Sequence, residues 1–367
     1  MTSVASAGER IYLGMDVSRD KIAVAVLRTG EDVPAVEMIS HDGEMVRRLI
    51  GKFADRSVLR CCYEAGPGGY ELYRLLASMG VACDVVAPAL IPKGAADRVK
   101  TDRRDCVRLV LSHRAGLLTA IRVPSEQEEA VRDLVRTRAD LVDDRKRMMQ
   151  RISALLQRHG RIWRAPRWTY EHRAWLDRQS FAEPALQAAL CTYLAALDAR
   201  DAELAVLETQ LRGCWASVDP LASMVRRLGC YRGIAELTGL TLAAEVADFR
   251  RFPSAPAFMG FTGLTPSEYS SGARTRRGAI TKAGPQLIRS TLIEAAWAYR
   301  HRPAIGATLR RRQAGCPEQT LARLSWKAQQ RLHATYTKLT RRGKIPQVAA
   351  TAVARELAGF VWAEMTS

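Results

Sequence analysis

Leu190, Leu197, Leu204 and Leu211 stand seven residues apart, with Leu186, Tyr193 and Leu207 between them. A seven-residue apolar period is close to two helical turns, so these side chains form one seam that another helix must cover. A second helix of this kind lies upstream, where Val131, Leu134, Val135, Leu141, Val142, Met148, Met149, Ile152, Leu155 and Leu156 follow a three-to-four spacing interrupted by Arg138 and Arg145. Pro124, with Ser125 and Glu128 in capping-box spacing, opens that helix, which runs to about His159. The two read as an antiparallel coiled-coil arm or a dimerising one, with a plain helical bundle as the competing reading. The segment that joins them, Arg161 to Ser180, holds Trp163, Arg164, Arg167, Trp168 and Tyr170. Such a mix of cations and aromatics suits nucleic-acid contact and is equally able to pack the tip of an arm.

Ahead of the arm, Ile11 to Val17, Lys21 to Arg28 and Val33 to Ser40 read as strands rich in Val and Ile with short polar turns between them. Helical periodicity over Glu44 to Phe53, a strand over Val58 to Tyr63, a helix over Gly69 to Met79 and a strand over Ala82 to Ala87 follow. A meander that turns into strand–helix alternation predicts a mixed sheet covered by helices, an α/β domain.

Carboxylates stand where these strands end. Asp16 lies in the otherwise apolar Leu13-Gly14-Met15-Asp16-Val17, where an ionised group is costly unless paired or bound to metal. Glu64 closes Cys61-Cys62-Tyr63-Glu64 ahead of a glycine-rich turn. Sites in open α/β sheets form outside the carboxyl ends of strands, which suits both residues, although a lone acid there also serves as a turn or cap residue. In Lys100-Thr101-Asp102-Arg103-Arg104-Asp105-Cys106, Asp102 and Asp105 share a helical face; Thr101 can cap that helix and the two acids can complement its N-terminus. Four carboxylates converging at one sheet edge would instead offer the oxygen ligands that a hard divalent cation such as Mg²⁺ takes.

Beyond the arm, Arg226 to Phe252 reads as two short helices with glycines at the turns, a helix-hairpin-helix-like unit whose backbone amides could meet a phosphate. The segment Tyr269-Ser270-Ser271-Gly272-Ala273-Arg274-Thr275-Arg276-Arg277-Gly278 follows, with Lys282 close behind and a helix from Gln286 to Tyr299. Two hydroxyls before a glycine, among Arg274, Arg276, Arg277 and Lys282, place a nucleophile candidate among phosphate-binding groups. A basic loop that grips phosphate, its serines acting as caps, is the plainer reading. The remaining chain is helical and basic, with Arg310, Arg311, Arg312, Arg323, Lys327, Arg331, Lys338, Arg341, Arg342 and Lys344 forming a solvated face or a nucleic-acid surface.

Charge narrows the partners. The 56 Lys and Arg against 38 Asp and Glu give a formal charge of +18, which favours a polyanion, nucleic acid before an anionic membrane. No apolar run approaches the ~18 residues of a spanning helix, and Met1 to Arg10 lacks the apolar core of a signal peptide, which predicts a cytoplasmic protein. The eight cysteines show no CxxC pair and no histidine at ligand spacing, so buried free thiols are expected and zinc is not.

Taken together, Gly14-Met15-Asp16-Val17, Tyr63-Glu64-Ala65-Gly66, Lys100 through Asp105, and Pro266 through Gly272 with Ile280-Thr281-Lys282-Ala283-Gly284 resemble the DEDD transposases of bacterial insertion sequences, the "one-ten" family of bridge-RNA-guided recombinases. The resemblance spans about Ile11 to Arg300, with the motifs in family order. It implies a RuvC-like, ribonuclease-H-type domain over 1–124, a coiled-coil insertion over 125–215 and a mostly helical, serine-bearing transposase domain over 216–367. Asp16, Glu64, Asp102 and Asp105 would hold Mg²⁺. Ser271 would be the nucleophile, because the family keeps the serine immediately before the glycine, with Ser270 as the fallback. Also implied are recombination of double-stranded donor and target DNA through a covalent phosphoserine, a structured guide RNA, a homodimer that pairs into a homotetramer, and a bacterial, nucleoid-associated location. The chain departs from its relatives at Cys230-Tyr231-Arg232-Gly233-Ile234, where a Pro-Gly-Ile-Gly turn is frequent, and at Cys106, where a small residue is usual. A RuvC-like metal nuclease that hydrolyses branched DNA is the alternative enzyme, and a non-catalytic nucleic-acid scaffold the alternative of another class.

Overall fold

The structure of the protein, a computed structural model, describes residues 10–88, 91–92, 101–216, 218, 220–269, 276–315 and 319–367. The chain divides into two compact units, one ending at Val123 and the other beginning at Pro124.

In the first unit β1 (Ile11–Val17), β2 (Lys21–Arg28) and β3 (Ala35–Ser40) form an antiparallel meander. After α1 (Gly43–Gly51), β4 (Leu59–Glu64) joins parallel to β1, and after α2 (Glu71–Ser78), β5 (Ala82–Val86) joins parallel to β4. The order β3-β2-β1-β4-β5 is consistent with a ribonuclease-H-like fold. Where Val33 was expected to open β3, the strand starts at Ala35, because Pro34 lacks the N–H that a ladder needs and Val33 is left exposed.

Period-two alternation sorts the two sheet faces. Leu13, Met15, Ile22, Val24, Leu59, Cys61 and Tyr63 point to one side and pack on Val46, Leu49 and Ile50 of α1 and Leu72 and Leu76 of α2. The opposite face is built from small residues, Gly14, Ala23, Ala25 and Cys62, and α3 (Asp102–Arg114) lies on it through Cys106, Leu109 and Val110. A Cβ added at Gly14 would stand 2.5 Å from the Val110 nitrogen and 2.6 Å from the Cys106 oxygen. Glycine in mid-strand thus serves close backbone approach.

The second unit opens with α4 (Glu126–Arg158), α5 (Tyr170–Asp177) and α6 (Pro184–Trp215). Both halves of the Ser125–Glu128 capping box are made. Helices α4 and α6 pack antiparallel, and Arg138 and Arg145, which interrupt the apolar stripe of α4, reach Glu208 and Asp201 of α6. Seven residues forward on one helix match seven back on the other. The connecting segment holds a short helix of its own, α5, whose start Thr169 caps by accepting from the His172 N–H.

The chain continues through α7 (Leu221–Leu228), α8 (Glu236–Val246), α9 (Ala255–Phe261), the short strands β6 (Pro266–Glu268) and β7 (Arg277–Ile280), α10 (Gln286–Ala296), α11 (Ala307–Ala314), α12 (Gln319–Arg341) and α13 (Pro346–Thr366). The roots of the arm, Val131, Val135, Leu207 and Leu211, share one core with Leu228, Tyr231, Leu242, Phe258, Leu292, Leu332 and Leu357. Its far end has a separate core of Ile152, Leu155, Leu156, Leu176, Leu190 and Leu197. Among the described residues no helix is long and apolar enough to cross a membrane.

Two expectations are corrected here. In the turn between α7 and α8 the amides of Cys230, Tyr231 and Ile234 are not open to a phosphate, because they donate to the carbonyls of Arg227, Leu228 and Tyr231, and all three side chains are buried. Nor are the cysteines uniformly buried. Cys61, Cys62, Cys106 and Cys230 are, Cys83 is half-buried, and Cys191 and Cys214 are exposed on α6, off its leucine seam; Cys316 lies outside the described residues.

Candidate active site

The parallel register Gly14↔Cys62 and Met15↔Tyr63 carries on to the ends of β1 and β4, where Asp16 and Glu64 follow. Asp16 is two residues from Gly14 and Glu64 two from Cys62, so both carboxylates leave the sheet on the face that α3 covers. Both are half-buried, at the carboxyl ends of neighbouring parallel strands. Asp16 also acts on α3, since burial and then the Asp16 charge push the Cys106 thiol up to about 11.

Thr101 caps α3 by accepting from the Arg104 N–H, as its position predicts, and Asp102 and Asp105 occupy the first turn. Asp102 is exposed, whereas Asp105 is only 5% exposed. One Asp105 oxygen receives Arg108 Nη2 at 2.5 Å. The other, Oδ2, is buried and has no hydrogen-bond partner among the described residues. A buried carboxylate oxygen without a donor is costly, and a cation is the partner that would satisfy it. The donor set Asp16, Glu64, Asp102 and Asp105 is all oxygen and suits a hard divalent ion. Among the described residues, however, no three His, Cys, Asp or Glu side chains are gathered closely enough to hold one, and Asp105 is turned to Arg108. Arg108 had not been singled out, although its three-residue spacing from Asp105 is a legible signal.

In the second unit a short ribbon is formed by residues that precede and follow the nucleophile candidates in sequence. Strands β6 and β7 pair antiparallel with a bulge, and beyond β6 the Tyr269 N–H donates to the Arg276 carbonyl at 2.9 Å. Ser270, Ser271 and Arg274 lie outside the described residues. Arg276 and Lys282 are exposed, and Arg277 stands at the start of β7. The base of the ribbon is a close crossing, at which the Lys282 N–H donates to the Gly263 carbonyl at 3.1 Å and a Cβ on Gly284 would overlap the Phe261 oxygen. Arg289 of α10 clamps the crossing, with Nη1 3.2 Å from the Gly284 oxygen and 3.4 Å from that of Thr262. Lys282 takes φ 55, a conformation that costs a non-glycine residue about 1–2 kcal/mol and turns the chain from the ribbon toward α10. Neither the ribbon nor Arg289 was anticipated, although Gly284 beside Pro285 is a legible turn signal.

The basic C-terminal face is partly structural. Arg312 donates through Nη1 to the Ile234 carbonyl and Arg331 pairs with Glu356 at 2.9 Å, whereas Arg310, Arg311, Arg323, Lys327, Lys338, Arg341, Arg342 and Lys344 are exposed.

Comparison with known proteins gives a consistent result. Residues 13–160 match the family described as transposase, DEDD type of IS110, and residues 225–311 match the transposase IS116/IS110/IS902 family. The chain is 41% identical over 358 residues to the transposase-named protein y4qE of Sinorhizobium fredii, which covers 96% of this chain and 87% of that protein. It is 32% identical over 340 residues to the transposase for insertion sequence element IS1533 of Leptospira borgpetersenii, covering 90% of this chain and 96% of the relative. Over 64% of each chain it is 26% identical to the transposase for IS1111A of Coxiella burnetii.

Proposed function

The chain belongs to the IS110 family of insertion-sequence transposases, enzymes that cleave and rejoin DNA, and from that premise we propose that it recombines donor and target DNA through a covalent phosphoserine, guided by a structured RNA. The observation that carries the site is the register of β1 and β4, with Asp16 and Glu64 side by side on the α3 face and the Asp105 Oδ2 left without a donor among the described residues.

Three segments divide the work: residues 1–124 as the RuvC-like carboxylate domain, 125–215 as a coiled-coil arm and 216–367 as the serine-bearing domain. Asp16, Glu64, Asp102 and Asp105 are the residues to hold Mg²⁺, with Asp105 released from Arg108. When bound, the ion supplies Lewis-acid polarisation of the scissile phosphate and eases deprotonation of the attacking hydroxyl. The Ser271 oxygen attacks phosphorus, a serine–phosphate ester forms, and one DNA strand leaves as a free hydroxyl. The hydroxyl of the exchanged strand then attacks the ester, rejoining DNA and returning the proton to Ser271, so the bond energy is conserved without ATP. Arg274, Arg276, Arg277 and Lys282 offset the charge that gathers on the phosphate oxygens. Carboxylates and serine come from different subunits of a homodimer that pairs into a homotetramer, with target choice delegated to the guide RNA.

Denaturing electrophoresis tests this reading with protein, Mg²⁺, labelled donor or target DNA and the element's RNA. A protein–DNA adduct present in wild type and Ser270→Ala and absent in Ser271→Ala is the expected result. Cleaved DNA without adduct in every variant would instead identify a hydrolytic nuclease.

A further inference from the structure

The far end of the α4–α6 arm carries a cavity that strand cleavage and rejoining do not use. Three tryptophans close around His172. Its ring stacks on Trp175 with centroids 5.6 Å apart and planes 19° apart, Trp163 lies 5.5 Å from both rings, and Trp168 meets the imidazole edge-on at 5.0 Å. Trp168 takes φ 64, and its backbone N–H donates to His172 Nδ1 at 3.0 Å. That bond puts the imidazole proton on Nε2 and leaves the ring neutral, in keeping with a pKa lowered by burial and then by the Arg167 charge. A non-glycine residue held in the left-handed region beside an aromatic cluster is strain of the kind that ligand clamps retain.

Between this cluster and α4 lies a cavity of about 120 Å³, walled by Ile152, Leu156, Trp163 and Trp175 and rimmed by Arg161 and Arg167. It is close in size to the ~150 Å³ apolar cavity that admits one benzene ring. Residues 151–180 carry seven arginines against two acids. Arg173 is taken up by Asp177 and Asp198, whereas among the described residues Arg161, Arg164 and Arg167 make no ion pair. A tip that served packing alone would call for neither the cavity nor the uncompensated cations.

We propose that this pocket takes the base of one unpaired nucleotide, stacked on Trp163, with Arg161, Arg164 and Arg167 meeting the flanking phosphates. A flat aromatic wall accepts any base, and arginines at the rim fit a backbone that enters and leaves the pocket. Duplex cannot enter, because its bases are stacked on one another.

The test uses the full chain without cleavage, so it stands apart from the chemistry at Ser271. Fluorescence anisotropy would compare ~15-nucleotide oligouridylate, ~15-nucleotide oligodeoxythymidylate and a duplex of the same length at ~150 mM salt. Trp163→Ala is expected to weaken strand binding by about 5- to 100-fold and duplex binding by less than about twofold, and Trp163→Phe to keep strand binding near wild type. The double variant Arg161→Ser/Arg167→Ser should flatten the single-strand salt slope by about 1.4. Preference for uridylate assigns the pocket to RNA, preference for deoxythymidylate to displaced DNA, and equal loss on both to either strand. Equal loss on strand and duplex would overturn the pocket in favour of a plain electrostatic patch. Photocrosslinking of wild type with 4-thiouridine oligomer keeps the question open to refutation should Trp163→Ala misfold; crosslinks that all fall outside residues 151–180 would refute it.

Discussion

Gly14 of β1 and Val110 of α3 are in backbone contact: an added Cβ on the glycine would come within 2.5 Å of the Val110 nitrogen. This contact sets the height of α3 above the sheet, and with it the height of the first turn that carries Asp102 and Asp105. Gly14→Ala should push the helix away, destabilising the first unit by about 1–3 kcal/mol as overpacking does. Calorimetry should show a lowered transition with DNA cleavage reduced more than RNA binding. Unchanged melting would contradict the close contact.

Arg108 is the counter-ion of a buried carboxylate. Its removal in Arg108→Met should cost about 3–5 kcal/mol, because Asp105 is then left buried and unpaired. Added Mg²⁺ should raise the melting temperature of that variant more than that of wild type, since a cation replaces the lost guanidinium. Equal shifts in the two proteins would argue against Asp105 as a ligand.

Arg289→Ala should leave the fold of the second unit intact and lower adduct formation by about tenfold or more, because a displacement of ~1 Å in a reacting group is enough for such a loss. Circular dichroism and adduct yield, measured on the same preparation, check both halves of that statement.

Stability should fall at alkaline pH. Burial and then Asp16 hold Cys106 up at about 11, and burial and then Asp84 hold Cys83 up at about 12. In the unfolded chain such thiols ionise near ~8.5. The unfolded state therefore binds fewer protons above that pH, and stability, full below ~8.5, declines as pH rises through about 11 to 12. Urea midpoints at pH ~8, ~9.5 and ~10.5 should fall in that order, and less steeply in Cys106→Ala.

Nucleic-acid affinity should drop steeply between ~50 and ~200 mM salt, given a formal charge of +18. A flat binding curve across that range would mean that phosphate contacts do not dominate.

Much of this architecture can be read from short-range chemistry. Ser125 and Glu128 announce α4, Thr101 announces α3, and apolar runs between short polar turns announce β1 and β2, because caps and turn signals act over a few residues. The placement of Asp16 and Glu64 at strand ends is legible for the same reason. The pairing of Arg145 with Asp201 needs two helices brought together across 56 residues of chain, and nothing local reports it. The β6–β7 ribbon escapes notice because strands of three and four residues carry too few side chains to show alternation. Arg289 escapes for another reason: it binds carbonyl oxygens, which every residue has.

The matched ion pairs of the arm make it a ruler. Arg138 with Glu208 and Arg145 with Asp201 step in opposite senses by the same interval, so the two helices can be lengthened only together. Seven residues inserted in each would carry the tryptophan cluster about 10 Å farther from the C-terminal core while keeping every pair in place, whereas seven in one alone would unmatch the scale. The reach of the tip is thereby written in residue count, a quantity that insertion and deletion can change in whole graduations and in no smaller ones.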